Sequence, residues 1–107
     1  MSEIKFIANS LQILKFEISS LTSVPLNQET ISTVTWRMSK FGTYDVVLEK
    51  TTLDGITVSG STITVILNGE DTINLHGLFR HQLTIVDVDL NRYVIDEGKI
   101  TIGRYIQ

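Results

Sequence analysis

Cysteine is absent from this sequence of 107 residues, and so a disulfide framework or a thiolate metal site is excluded. Aromatic residues make up only 7% of the chain, which argues against an aromatic-rich surface for glycans or single-stranded nucleic acid. The nine Lys and Arg residues form no basic run, and the net charge of −3 also argues against a nucleic-acid partner. No apolar stretch approaches the roughly 18–20 residues of a membrane helix. We therefore expect neither a nucleic-acid nor a membrane partner.

What the chain does contain is the composition of a small globular domain. Hydrophobic residues make up 42% of it, and a chain of this length buries roughly two-thirds of its unfolded surface, enough for one core. Proline occurs once, the seven glycines fall mostly between apolar runs, and no tract resembles a linker. We therefore predict a single domain over residues 1–107. The many Thr, Ile and Val residues suit pleated strands better than helices because they are β-branched.

Apolar and polar residues alternate along much of the chain, which is the pattern of half-buried strands. The sets predicted to share one face are Leu14, Phe16 and Ile18; Val34, Trp36 and Met38; Ile63, Val65 and Leu67; and the run from Phe79 to Ile85. Further strands are predicted through Ile4 and Phe6, through Val46 and Leu48, and from Tyr93 to Ile106. The polar segment 21–30, which contains Pro25, is predicted to be a loop.

Glycine-containing pairs separate these strands and predict where the chain reverses. Asp54-Gly55 is a strong hairpin signal because glycine adopts the positive φ of tight turns, and Ser59-Gly60 marks another turn. Asn68-Gly69 is predicted to end its strand for the same backbone reason. The remaining signals are turns at Asn9-Ser10 and Phe41-Gly42-Thr43, a helical turn capped by Asp71, and a bend or bulge at Gly98 and Gly103.

Short strands with turn signals about every 8–12 residues indicate an all-β fold. We predict an antiparallel immunoglobulin-like β-sandwich, with a small β-barrel as the structural alternative. A parallel α/β fold is disfavoured because no segment supplies an amphipathic crossover helix.

The residue pattern that comes nearest to a metal site is Asp87-Val88-Asp89-Leu90-Asn91, which matches the first oxygen-ligand positions of a calcium loop. The rest of that motif is missing, because Arg92 occupies the position that requires glycine and Gly98 the position of the bidentate carboxylate. We therefore predict a solvated hairpin turn here, and no metal or cofactor.

Catalytic groups are not recognisable in the sequence. His76 and His81 are five residues apart, and this odd spacing would place them on opposite faces of a strand, without further ligands for zinc. The neighbouring carboxylates of Asp96 and Glu97 would also face opposite ways, and no serine lies in a Gly-x-Ser-x-Gly turn. We predict no catalytic residue and no enzymatic activity.

Three aromatic residues are candidates for stacking on a ligand if the domain is instead a carbohydrate- or receptor-binding β-sandwich. They are Trp36, Tyr44 and Tyr93. The alternation of Trp36 with Val34 and Met38 favours a place in the core for the indole. This alternative function therefore depends on whether Trp36 is exposed.

The order of turns and strands in the second half of the chain follows a recognisable pattern. Its positions are Asp54-Gly55-Ile56, Ser59-Gly60, Ile63-Thr64-Val65, Asp71-Thr72, Leu75, Gly77, Leu83-Thr84-Ile85-Val86-Asp87 and Gly98-Lys99-Ile100. This pattern resembles a domain of tailed-phage and prophage structural proteins, especially the N-terminal domain of baseplate upper proteins. The chain departs from it at Leu78-Phe79, where a tyrosine is usual, and at Leu90-Asn91, where a turn glycine is common.

The resemblance implies a non-enzymatic virion protein of the tail, baseplate or head–tail connection, which acts through protein–protein contacts. Its implied partners are other virion proteins and further copies of itself in a homo-oligomer. Its implied location is the virion, after assembly in the host cytoplasm. The resemblance transfers no binding residues, because no position of the pattern is assigned to binding.

Overall fold

The computed structural model describes residues 2–18, 30–104 and 106. Within them, eight strands and a helical turn follow one another along the chain. Their bounds are β1 Ser2–Ile7, β2 Gln12–Glu17, β3 Ile31–Lys40, β4 Val46–Thr51, β5 Ile56–Ser59, β6 Thr62–Leu67, α1 Gly69–Thr72, β7 Gly77–Asp87 and β8 Arg92–Gly103. The predicted strands are present, but the last one, predicted from Tyr93 to Ile106, ends at Gly103. Most of the loop predicted over residues 21–30 lies outside the described residues.

The strands form two sheets, which confirms the predicted β-sandwich. The larger sheet has the order β1-β8-β7-β3-β4 and the smaller one the order β2-β6-β5. This division is immunoglobulin-like, with β2, β5 and β6 in one sheet, and β3, β4, β7 and β8 in the other together with the edge strand β1. One pair departs from the antiparallel prediction, because β1 runs parallel to β8 along all six of its residues. These strands are far apart in the chain, so no tight turn dictates their direction.

The core lies between the sheets and is built by the alternating sets predicted from the sequence. Val34, Trp36, Met38, Ile63 and Val65 are each 0% exposed. Each such side chain contributes about 1.5–3 kcal/mol when fully buried, so these strands hold the sandwich together. β2 ends at Glu17, one residue before Ile18, whose side chain is also fully buried.

A β-bulge lies in β8, but not at the predicted glycines. Leu83 pairs with Asp96 while the next residue of β7, Thr84, pairs with Val94, so Ile95 is the extra residue. The bulge shifts which residues face inward, and Ile95 and Asp96 are both buried as a result. The prediction of a bend at Gly98 and Gly103 is wrong, since both pair in regular register. Gly103 instead allows a close approach, because a Cβ there would lie 2.6 Å from Cδ1 of Ile7.

The Asp54-Gly55 turn connects the two sheets and does not form a hairpin, which corrects the prediction. The glycine has the expected positive φ of 91°. However, β4 before it pairs with β3, and β5 after it pairs with β6. A positive-φ glycine reverses the chain whichever strand the next segment pairs with. Ser59-Gly60, in contrast, does form a hairpin, in which Ser59 pairs with Thr62.

The predicted helical turn is α1, and the structure shows how it is capped and why its first residue is glycine. The N-cap is Asn68 and not Asp71 as predicted, but Asp71, the third residue of the helix, completes a capping box by accepting a hydrogen bond from the backbone N–H of Asn68 at 2.8 Å. Gly69 does not have a positive φ, so the backbone reason predicted for it is wrong. Its small size is needed instead, because a Cβ would lie 2.8 Å from Oδ1 of Asn9.

Candidate interaction surface

Trp36, the main candidate for ligand stacking, lies in the centre of the core. Its indole N–H donates a hydrogen bond of 3.2 Å to Nδ1 of His81, and both side chains are at most 1% exposed. The Phe16 ring packs against the same imidazole, with ring centroids 6.2 Å apart. Because indole can only donate, Nδ1 of His81 must be the unprotonated nitrogen. Trp36 therefore links β3 to β7 and offers no face to a ligand.

His81 is a core residue and His76 a surface residue, so the two histidines do not come together. Burial lowers the pKa of His81, and the charges of Asp96 and Glu97 oppose this effect only in part. The charges of the two carboxylates do act on His81, but the ring is buried beside Trp36, whose indole N–H donates to it. Nε2 of His76 lies 3.4 Å from the guanidinium of Arg104 at the surface.

Asp87 organises the turn between β7 and β8, as predicted for a hairpin. Its carboxylate accepts hydrogen bonds from the backbone N–H groups of Asp89 and Asn91, both at 2.9 Å, and from the Tyr93 hydroxyl at 3.1 Å. Burial raises the pKa of this carboxyl, but the hydrogen bonds outweigh burial and lower it below its usual value. Both carboxylate oxygens of Asp87 therefore accept hydrogen bonds from residues of the same turn.

Tyr44 and Tyr93 lie at opposite ends of the larger sheet. Tyr93 pairs with Ile85, which pairs with Val34 near the start of β3. Tyr44 precedes β4, whose first residue pairs with Ser39 near the other end of β3. At about 3.3 Å per residue, the five residues from Val34 to Ser39 span roughly 17 Å. Tyr44 is 92% exposed, whereas the Tyr93 hydroxyl is bound to Asp87, so the three aromatic candidates form no shared platform.

A charged groove of about 630 Å³ crosses the outer face of the larger sheet. We call it the outer groove, and it is lined by Glu3, Phe41, Gly42, Arg80, Glu97, Gly98 and Lys99. Arg80 and Glu97 form a loose ion pair of 3.7 Å at its floor, and both are about half exposed. Cations and carboxylates alternate here, so the groove has no single sign of charge that would select an anionic or cationic ligand.

An apolar cleft of about 490 Å³ lies at one end of the same sheet, where the β3–β4 turn meets the segment before β7. We call it the end cleft, and its apolar lining is Phe41, Val47, Leu75, Leu78 and Phe79. Phe41 is 51% exposed, Val47 41% and Leu78 39%. Contiguous exposed apolar surface of this kind is typical of protein–protein contact sites.

The end cleft was not predicted, although the sequence carries a signal for it. Val46-Val47 and Leu78-Phe79 are pairs of consecutive apolar residues at the ends of strands. Since neighbouring residues on a strand face opposite ways, one member of each pair must leave the core face. Such pairs beside turn glycines are the pattern that would have indicated an exposed apolar site.

Two searches of the described residues concern other classes of site. No group of three or more His, Asp or Glu residues lies close enough together to hold a metal ion in the part of the chain that the structure describes. Among residues 2–18, 30–104 and 106, no helix has the length and apolar character of a bilayer-spanning segment.

No model of a protein family matches the chain, and no curated protein matches it significantly.

Proposed function

We propose that this chain is a non-enzymatic structural protein of a tailed phage or prophage virion, in the tail, the baseplate or the head–tail connection. It acts through contacts with other virion proteins and with further copies of itself. It is assembled in the host cytoplasm and remains in the finished particle. Two observations support this proposal. The pattern of turns and strands resembles that of the phage domain, and the end cleft offers a surface for protein contacts.

The observation that carries the proposal is the end cleft. Three of its apolar residues, Phe41, Val47 and Leu78, are exposed at the end of the larger sheet, beside the buried Phe79. Leaving such side chains in water forgoes stabilisation of about 25 cal/mol per Å² of apolar surface, which a contacting protein would recover. The buried polar residues, in contrast, are engaged within the domain, as His81 and Asp87 show. The exposed apolar side chains of the end cleft are thus suited to contact with another protein.

The turn pattern of the resemblance also fits the strands that the chain forms. Ser59-Gly60 is a hairpin turn, Gly77 opens β7 with a φ of 107°, and Gly98-Lys99-Ile100 lies within β8. Such punctuation is shared by unrelated sandwiches. It therefore supports the fold-level part of the proposal, and the end cleft supports the contact function.

The test is whether the chain is a component of phage particles. Particles would be induced from the organism that encodes the chain, banded on a density gradient and digested for mass spectrometry. We expect peptides of this chain in a constant ratio to capsid and tail peptides across the band. A chain found only in the soluble fraction, while particles are present, would contradict the proposal.

A pair of matched variants tests the contact surface in the same particles. Leu78→Asp places a charge in the end cleft, where the side chain is 39% exposed and is not part of the buried core. Leu53→Asp makes the same change at a residue that is 98% exposed and outside the cleft. We expect the Leu78 variant to be depleted from particles and the Leu53 variant to be incorporated normally. Equal incorporation of the two would remove the end cleft from the proposal.

A further inference from the structure

The larger sheet has two edge strands, β1 and β4, and they differ in how well they could accept another strand. β4 is interrupted, because its register with β3 shifts between Met38 and Ser39. It also turns Lys50 inward to a 3.0 Å ion pair with Asp71. Bulges and inward charges are two of the devices that protect an edge against pairing. β1 has neither, since its six residues keep one register with β8 and include no proline or glycine.

Along residues 3–6 of β1, the side chains alternate between the two faces of the sheet. Phe6 is buried and Ile4 packs against the core, whereas Glu3 and Lys5 are exposed on the outer face. Glu3 and Lys5 form a weak ion pair of 3.7 Å along the strand, with side chains 54% and 73% exposed. Both are therefore free to reach a neighbouring strand. Among the described residues, no strand pairs with the edge of β1 that lies away from β8.

The charges of β1 select a single register for pairing with a second copy. In an antiparallel pair, directly opposed residues point to the same face of the sheet. A two-fold axis between two copies of β1 must therefore lie midway between a residue of one copy and the same residue of the other. An axis at Glu3 opposes two glutamates, and an axis at Lys5 opposes two lysines. An axis at Ile4 opposes Glu3 of each copy to Lys5 of the other. Only this register makes two favourable cross-strand pairs.

We propose that two copies of this chain pair through β1, antiparallel and around a two-fold axis at Ile4. The result is one continuous sheet, with five strands from each copy. The backbone groups on the outer side of β1 supply the hydrogen bonds, and the Glu3–Lys5 pairs fix the register. This inference specifies the self-contact included in the proposed virion function and rests on it for its biological meaning.

Charge reversal tests the register by sedimentation equilibrium over a concentration series. Glu3→Lys or Lys5→Glu alone turns both cross-strand pairs into like-charge pairs, and we expect the dimer dissociation constant to rise about tenfold or more. The double variant Glu3→Lys/Lys5→Glu restores both pairs in reversed order, and its dissociation constant should return toward that of the original chain. These side chains are exposed, so folding is preserved. A double variant as weak as the single ones would overturn the register.

Cysteine cross-linking tests the edge, since the chain contains no other cysteine. In this register Ile4 opposes its own copy with a Cα separation of about 4.5–5.5 Å, which suits a disulfide. Ile4→Cys should therefore give an oxidised dimer, whereas Val47→Cys on β4 serves as the matched control and should not. Cross-linking through Val47 alone would overturn the proposal.

The outcome for self-pairing is separable from that for virion function. A chain that stays monomeric up to millimolar concentration would overturn pairing through β1. The same chain could still be found in purified particles, and the proposed function would then stand without this contact.

Discussion

The polar residues on the two faces of the larger sheet differ in burial and in how closely they are paired. On the inner face, His81 is held by Trp36, Lys50 by Asp71 at 3.0 Å, and each is buried. On the outer face, Arg80 and Glu97 are 3.7 Å apart and about half exposed. When its partner is removed, a buried polar group is left without a hydrogen bond, whereas an exposed polar group binds water instead. The inner polar residues therefore stabilise the domain itself, whereas the outer ones can contact another molecule.

The largest effect is expected from removing the inner aromatic group. Trp36→Ala should lower the free energy of unfolding by about 3–5 kcal/mol, because it leaves a cavity and removes the donor bound to His81. Tyr44→Ala is the control, since Tyr44 is 92% exposed, and it should change the free energy by less than about 0.5 kcal/mol. Urea denaturation followed by circular dichroism measures both. Similar losses in the two variants would break the contrast between buried and exposed aromatic residues.

A smaller effect is expected from the inner ion pair. Lys50→Ala should cost about 2 kcal/mol, less than for a fully buried pair because the Asp71 side chain is still 20% exposed. The outer pair of Arg37 and Glu49, with a distance of 2.6 Å and both side chains about half exposed, serves as the comparison. Arg37→Ala should cost less than about 1 kcal/mol. Double-mutant cycles with Asp71→Asn and Glu49→Gln measure the two coupling energies, and a stronger outer coupling would reverse the comparison.

Acid should weaken the inner face through His81. Burial lowers the pKa of His81, so the unfolded chain binds a proton more readily than the folded one. The stability that neutral His81 provides is therefore complete above the unfolded pKa of about 6.5 and is lost as the pH falls from there toward the lowered folded pKa. Melting temperatures between pH 8 and pH 5 should show this loss.

Replacing the buried imidazole provides the control for this pH dependence. His81→Gln should flatten the decline below about pH 6.5, since glutamine does not titrate. It should also lower stability at every pH, because the imidazole packed against Trp36 and Phe16 is lost. A decline that persists unchanged in this variant would contradict its assignment to His81.

The smallest effect is expected in the turn that joins β7 to β8, where a single residue can be improved. Leu90 has a φ of +68° and is 81% exposed, so its side chain gains little from burial and its backbone is strained. Leu90→Asn should raise the free energy of unfolding by about 0.5–1 kcal/mol, because asparagine tolerates this conformation. Leu53→Asn, at an exposed residue without a positive φ, should be nearly neutral. Equal effects at both positions would point to reduced surface hydrophobicity as the cause.

The sequence predicted what depends on near neighbours along the chain. Alternation identified Val34, Trp36 and Met38 as core residues because strand geometry alone sends them to one face. It could not reveal that Asp54-Gly55 joins two sheets while Ser59-Gly60 closes a hairpin, because both pairs supply the same backbone conformation. The partner of the next strand is decided by contacts that are distant in sequence.

The surface was the least predictable part for the same reason. Phe41 and Leu78 are far apart in the chain, and they line the end cleft together because β3 pairs with β7 and the backbone N–H of Phe41 donates to the carbonyl of Leu78 at 3.2 Å. The extra residue at Ile95 likewise leaves no mark in composition or glycine content. In contrast, the turn at Asp87 was predictable because its donors come from Asp89, Asn91 and Tyr93, all within six residues.

The parallel pairing of β1 with β8 has a mechanical consequence. Ser2 lies beside Gly98 and Ile7 beside Gly103, so the chain enters this pair at one end and leaves it at the other. A force that pulls on the chain before Ser2 and after Gly103 slides the two strands past each other. Every hydrogen bond between them is then strained together, whereas an antiparallel pair would be peeled open one bond at a time. Extension of the domain must therefore begin with the shearing of this whole ladder.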